Sequence, residues 1–315
     1  MKTNFLSDNY KPQFAGHETF YLRYGWLKKA VDEVKKARHN TRKVFTDEAA
    51  IASFGVGRNM VSAIRYWAHA CDIILTQDGE TMVSELGNLL LAEGGADPYM
   101  ENLCTLWALH WKLASNPKNT SIYWLFNHFS DGSFDKILLQ KNLLSVADQY
   151  GWKKPNEKTL SNDLLVLLNT YATDETAKKG PKEDYLTSPL AELGLIRHGS
   201  SGRLHMGWGP KPSLSKGVFL YALCEFWQNY SDANTLNFQN ILLEPGSPGR
   251  IFLMDENELA VRLMEISDDT NGLISWSETA GLKQLLRSKP FSEEIKKNFL
   301  MAAYTSTFHD RVEAA

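Results

Sequence analysis

The chain has 315 residues, of which 43% are hydrophobic and 23% charged, and its formal net charge is −3. These values exclude a disordered chain and leave room for two or three domains at roughly 100–150 residues each. The longest apolar stretch, Val218 to Cys224, falls far short of the ~20 residues of a membrane span, and Met1 to Phe14 lacks the apolar core of a signal peptide. A cytoplasmic protein without membrane contact is expected. Cys71, Cys104 and Cys224 are isolated, form no CxxC pair, and read as buried free thiols.

Charge is unevenly spread. Residues 1–70 hold 12 Lys and Arg against 6 Asp and Glu, while the remainder holds 22 against 31. A basic head on an acidic body points to a phosphate-facing surface at one end, although a solvated helix face explains the same charges.

In chain order, Trp26, Leu27, Ala30, Val31 and Val34 recur at helical spacing and predict a first helix from near Tyr24 to Ala37. A basic connector follows, from Arg38 to Lys43. Thr46 suits an N-cap for a short second helix, with Asp47 and Glu48 in its first turn and a stop at Phe54-Gly55-Val56-Gly57. The third helix, Arg58 to Cys71, has an apolar side of Met60, Ile64, Trp67 and Cys71. Arg58, Asn59, Ser62, Arg65 and His69 give it a second, donor-rich side of the kind that reaches base edges and phosphates in a major groove. Asp78-Gly79 between two apolar runs predicts a β-hairpin directly afterwards.

Helix, helix, turn, polar-faced helix and hairpin is the order of a winged helix-turn-helix, though a small helical bundle with a hairpin has the same elements. The pattern returns from Asp135 onward, with helices at 136–150 and 157–171 and a hairpin over Leu195 to Trp208. The expected fold class is therefore mainly α, with tandem winged helix-turn-helix-like units and small β-hairpins. The segments are 1–98, a helical connector 99–134, a second unit 135–232, and a C-terminal helical region 233–315. On the second unit's last helix, Glu157 and Asp163 beside Lys158 suit a structural or protein-contact role at least as well as DNA contact.

Catalytic signatures are scarce. No phosphate loop, HExxH helix or zinc-type Cys/His set is present. One segment, Phe14 to Trp26, gathers His17, Glu18 and Arg23 among aromatic residues ahead of the first helix. Two readings stand side by side. In one, His17, Glu18 and Thr19 cap and brace that helix. In the other, His17 is a base or metal ligand, Glu18 a ligand for a hard cation such as Mg²⁺ or Mn²⁺, and Arg23 a phosphate clamp.

The runs FAGHETFYLRYGWLKKAVD at 14–32 and DEAAIASFGVGRNMVSAIRYWAHA at 47–70 resemble the signature of a bacterial domain family of unknown function whose members occur in DNA phosphorothioation gene clusters. The resemblance implies a DNA nickase that opens one strand. Partner subunits (a cysteine desulfurase, an ATPase and a sulfur-transfer enzyme) would then exchange a phosphate oxygen for sulfur. Lys35, Lys36, Arg38, Arg42 and Lys43 are expected to hold the backbone of double-stranded DNA, with Arg58, Asn59, Ser62, Arg65 and His69 reading it. A non-catalytic winged-helix module, or a scaffold that uses such surfaces for protein contacts or a homodimer, fits the same residues.

Overall fold

The structure is a computed structural model that describes residues 5–37, 41–172, 188–199, 202–279 and 281–313, with side chains to 305. It is mainly α-helical with small antiparallel sheets. Contacts divide the chain into two compact units. One runs to Leu125 and resumes over Ser130–Met206; the other takes Phe126–Phe129 and everything from Gly207. This division falls inside the segment 135–232 that periodicity groups together. Among the described residues no helix is long and apolar enough to cross a membrane.

The first unit opens with α1 (Trp26–Ala37), α2 (Ala49–Phe54) and α3 (Arg58–Ala70). Trp26, Leu27, Ala30, Val31 and Val34 of α1 are buried, as are Ile64, Trp67 and Cys71 along α3 and at its end, while Met60 of the predicted stripe is half-buried and Val61 beside it is buried. One detail differs. Thr46 does not cap α2: the helix begins at Ala49, whose N–H is held by Asp47 Oδ1 at 3.3 Å, because a 3-10 turn at Thr41–Lys43 and its following turn carry the chain past Thr46. β1 (Ile74–Gln77) and β2 (Glu80–Val83) pair antiparallel around Asp78 (φ 53°) and Gly79 (φ 81°), the left-handed pair that a two-residue hairpin needs.

Beyond the hairpin lie α4 (Glu85–Leu91), α5 (Leu103–Ser115) and α6 (Thr120–Asn127). Trp107 and Trp111 of α5 are fully buried, which puts this aromatic helix in the core. α7 (Lys136–Gln149) and α8 (Glu157–Tyr171) precede the hairpin of β3 (Ile196–His198) and β4 (Leu204–Met206). Phe134 bridges β4 through reciprocal 2.8 Å bonds with Leu204. The N-terminal segment is bound into the same unit: Phe5 and Tyr10 pack on Trp152, and Trp152 Nε1 donates to Ser7 O at 3.0 Å.

The second unit holds α9 (Lys216–Tyr230), β5 (Thr235–Asn237), α10 (Phe238–Leu243), α11 (Pro248–Ile251), α12 (Glu256–Met264), α13 (Ile266–Asp269), β6 (Ile274–Thr279), β7 (Leu282–Arg287) and α14 (Glu293–Glu313). The expectation of helices alone after residue 233 is corrected here. β5, β7 and β6 form a three-stranded antiparallel sheet in that order, with Trp276 and Leu236 both opposite Leu285. Along β6 the apolar Ile274 and Trp276 alternate with Ser275 and Ser277, and Trp276 stands opposite the buried Leu285 of β7, the period-two pattern of a strand. α14 packs on α9 at Gly217, where a Cβ would lie 2.4 Å from the Phe299 carbonyl oxygen. Lys211 is buried in a turn, and its Nζ donates to the carbonyls of Gly207, Gly209 and Leu253 at 2.7–3.0 Å.

Candidate nucleic-acid interface

Arg58, Asn59 and Arg65 of α3 are exposed, with Ser62 and His69 half-buried on the same helix. A helix with 3.6 residues per turn brings 58, 62, 65 and 69 onto one side. None of Arg58, Asn59 and Arg65 has a side-chain hydrogen bond or ion pair among the described residues, so their donors face solvent. His69 Nε2 lies 3.4 Å from Thr76 Oγ1 on β1, which ties the end of α3 to the hairpin. Burial first, and then the positive charge of Arg65 one turn away, hold the His69 imidazole below its ordinary pKa.

The expected backbone contacts are not equivalent. Lys35, Lys36, Arg42 and Lys43 are exposed, and Lys36 makes only a loose 3.4 Å pair with Glu33. Arg42 is committed to the hairpin, donating from Nε to Glu80 at 2.6 Å and from Nη2 to Asp78 O at 3.2 Å, while Thr41 also donates to Glu80. Those bonds hold the Glu80 carboxyl below its ordinary range, the Thr41 bond most of all. Arg38 lies outside the described residues.

The segment ahead of α1 gives His17, Glu18 and Arg23 three different surroundings. His17 is 4% exposed. Its Nδ1 accepts the Thr19 N–H at 3.1 Å, which leaves Nε2 to donate to Asp163 Oδ1 on α8, also at 3.1 Å. Asp163 is itself buried and accepts from Ser121 Oγ through its other oxygen. Both imidazole nitrogens are thus engaged. Glu18 has φ 49° and is exposed. Arg23 lies 5.4–5.7 Å from the ring centres of Phe20, Tyr21 and Trp26, and its buried Nε has no hydrogen-bond partner among the described residues.

Among the described residues no three of His, Cys, Asp and Glu stand together as a set that could hold a metal ion, so Glu18 belongs to no such set. Asp163, the carboxylate bonded to His17, is spent on hydrogen bonds. These donors do not fit a divalent cation carried by the protein alone, and phosphate oxygens would have to supply further ligands. Cys71, Cys104 and Cys224 are buried free thiols, and burial pushes the thiols of Cys71 and Cys224 well up, away from the reactive thiolate.

Spacing on one helix found the α3 face. It did not connect Asp163, which spacing marks only as an acidic residue suited to a structural or protein-contact role, or Ser121 with His17. The distance in sequence is the reason: 146 residues separate His17 from Asp163.

The model of the family described as "Protein of unknown function (DUF4007)" matches residues 14–304, and the chain belongs to that family. Two solved structures resemble it closely. A magnesium ion-bound SspB crystal structure matches with TM-score 0.81 and 28% identity over 93% of this chain and 88% of that one. A further SspB crystal structure matches with TM-score 0.80 and 26% identity, over 96% and 89%. No protein of curated function matches the sequence.

Proposed function

We propose that this chain is a DNA-binding subunit of a DNA phosphorothioation defence system, and that α3 enters the major groove with the β1–β2 hairpin as a wing. The carrying observation is the row of unpaired donors on α3: Arg58, Asn59 and Arg65 offer guanidinium and amide groups to solvent beside a hairpin braced by Arg42 and Glu80. Guanidinium and amide groups are the commonest bidentate readers of guanine and adenine. The family resemblance and the SspB-like fold support the defence context. In this reading α7, α8 and the β3–β4 hairpin form a second winged unit, with a protein-contact role. Lys35, Lys36 and Lys43 hold the backbone. The partners are double-stranded DNA and the sulfur-inserting subunits: a cysteine desulfurase, an ATPase and a sulfur-transfer enzyme.

Nicking of one strand, dependent on Mg²⁺ or Mn²⁺, belongs to the same proposal, and the magnesium ion bound to the similar SspB supports it. The engagement of both His17 nitrogens favours a second reading, in which the chain positions DNA for partner enzymes without cutting it. Relaxation of supercoiled plasmid by highly purified full-length chain, with Mg²⁺, with Mn²⁺ and with a chelator, separates the two. Metal-dependent open circles support nicking. Plasmid that stays supercoiled while duplex is retarded in a gel supports the positioning reading. Failure to retard duplex at low salt overturns both.

A further inference from the structure

At the exposed face of α3 a cleft of about 380 Å³ is lined by Ser62, Arg65 and His69 of α3, Lys118 from the loop between α5 and α6, and Gln13 and Gly16 of the N-terminal segment. Among the described residues no carboxylate lines it. Its charges are therefore of one sign, contributed by two separate elements. Lys118 is exposed and, like Arg65, has no ion-pair partner among the described residues. An anion is the guest that complements such a lining, and a phosphate suits an ammonium and a guanidinium together. The volume is more than a bare phosphate fills and falls within the ~300–1,000 Å³ of small-molecule sites. The remaining walls suit the rest of a nucleotide. Phe45, Tyr66 and Ala70 are apolar or aromatic. Gln13 Nε2 is held by Ala15 O, Asn116 Oδ1 by the Lys118 N–H and Asn119 Nδ2 by two carbonyls, which leaves the Gln13 and Asn119 amide oxygens and the Asn116 NH2 for a base edge.

The wall at Tyr66 is held from behind. Gly16 takes φ 116° and passes so close that a Cβ there would lie 2.7 Å from the Tyr66 ring. The His17 ring meets Tyr66 edge-on at 5.6 Å between centres. The floor is fixed as well: Asn119 Nδ2 donates to the carbonyls of Leu113 and Ala70, and the Gln13 N–H donates to Thr120 Oγ1 at 2.7 Å. The Gly-His pair ahead of α1 thus positions a cleft wall, with Asp163 anchoring the histidine.

We infer that this cleft binds one nucleotide, its phosphate between Arg65 and Lys118 and its base against Tyr66 and Phe45. The inference rests on the DNA-binding reading only for the source of that nucleotide, a DNA strand. Calorimetric titration of the full-length chain with thymidine 5′-monophosphate, thymidine and inorganic phosphate tests it, with duplex binding measured in parallel by fluorescence anisotropy. The expected result is that the monophosphate binds at least tenfold tighter than either thymidine or phosphate. Lys118→Ala should weaken it at least fivefold, and Lys118→Arg should largely restore it. Lys118 is exposed, so neither change threatens folding. Thymidine or inorganic phosphate binding as tightly as the monophosphate, or Lys118→Ala binding it like the wild type, overturns the nucleotide site. Monophosphate binding without duplex binding overturns DNA as its source and leaves the site. Duplex binding without monophosphate binding overturns the site alone.

Discussion

His17 Nε2 donates to Asp163 Oδ1 at 3.1 Å across 146 residues of chain, joining the segment ahead of α1 to the middle of α8. Both side chains are buried, and Asp163 shares its second oxygen with Ser121. Removing either end leaves one buried polar atom of the other, Asp163 Oδ1 or His17 Nε2, without its partner. His17→Ala and Asp163→Ala are each expected to cost ~2–4 kcal/mol of unfolding free energy. The double variant should cost less than the sum of the two, because the second change removes the orphan left by the first. Urea unfolding of the three variants measures this. Singles within 0.5 kcal/mol of wild type that nonetheless abolish nicking would make His17 a reacting group instead.

Lys211 presents a second buried commitment. Its ammonium serves three backbone carbonyls, and Arg262 closes the same turn by donating to the carbonyls of Lys211 and Leu214. Lys211→Met keeps the apolar stem but strands the Gly207 and Gly209 carbonyls, since Leu253 O keeps the Gly209 N–H, and is expected to cost ~2–4 kcal/mol in urea unfolding. A loss under 1 kcal/mol would mean that water replaces the ammonium there.

His128 sets an acid limit on stability. Burial, and after it the charge of Arg250, hold its pKa down to about 4 in the folded chain. An unfolded histidine titrates near 6.5, so between these values the unfolded chain binds the extra proton. Stability is therefore complete above pH ~6.5 and falls as pH drops toward 4, by ~3 kcal/mol for this group. Unfolding free energies taken from pH 7 down to 4.5 should show that decline, and His128→Gln should flatten it. An unchanged slope in the variant would assign the decline to other groups.

Much of the fold is legible in the sequence because most of it is local. The bounds of α8, the donor side of α3 and the Asp78-Gly79 hairpin follow from periodicity and turn chemistry within a dozen residues. Thr46 misleads because several local side-chain oxygens can accept the first free N–H groups of a helix, and Asp47 Oδ1 accepts that of Ala49. The sheet of β5, β7 and β6 escapes because β5 pairs with a strand some fifty residues later, and a short alternating run such as Ile274–Thr279 has weak periodicity by itself. Asp163 illustrates the same limit in the site. On α8 alone it is one acidic residue near Lys158, and only the folded chain sets it against His17.

The claim that α3 faces DNA is tested most directly by fluorescence anisotropy of a labelled duplex over a range of salt, comparing wild type with Arg58→Ala/Arg65→Ala. Both side chains are exposed, so the double variant should unfold like the wild type. A phosphate contact contributes about one unit to the slope of log K against log salt, and a bidentate base contact ~1–3 kcal/mol of discrimination. The account predicts at least a tenfold loss of affinity at equal salt. Neutralising Lys35, Lys36 and Lys43 together should instead weaken every duplex sequence by a similar factor. Wild-type affinity and salt slope in the double arginine variant would contradict the account.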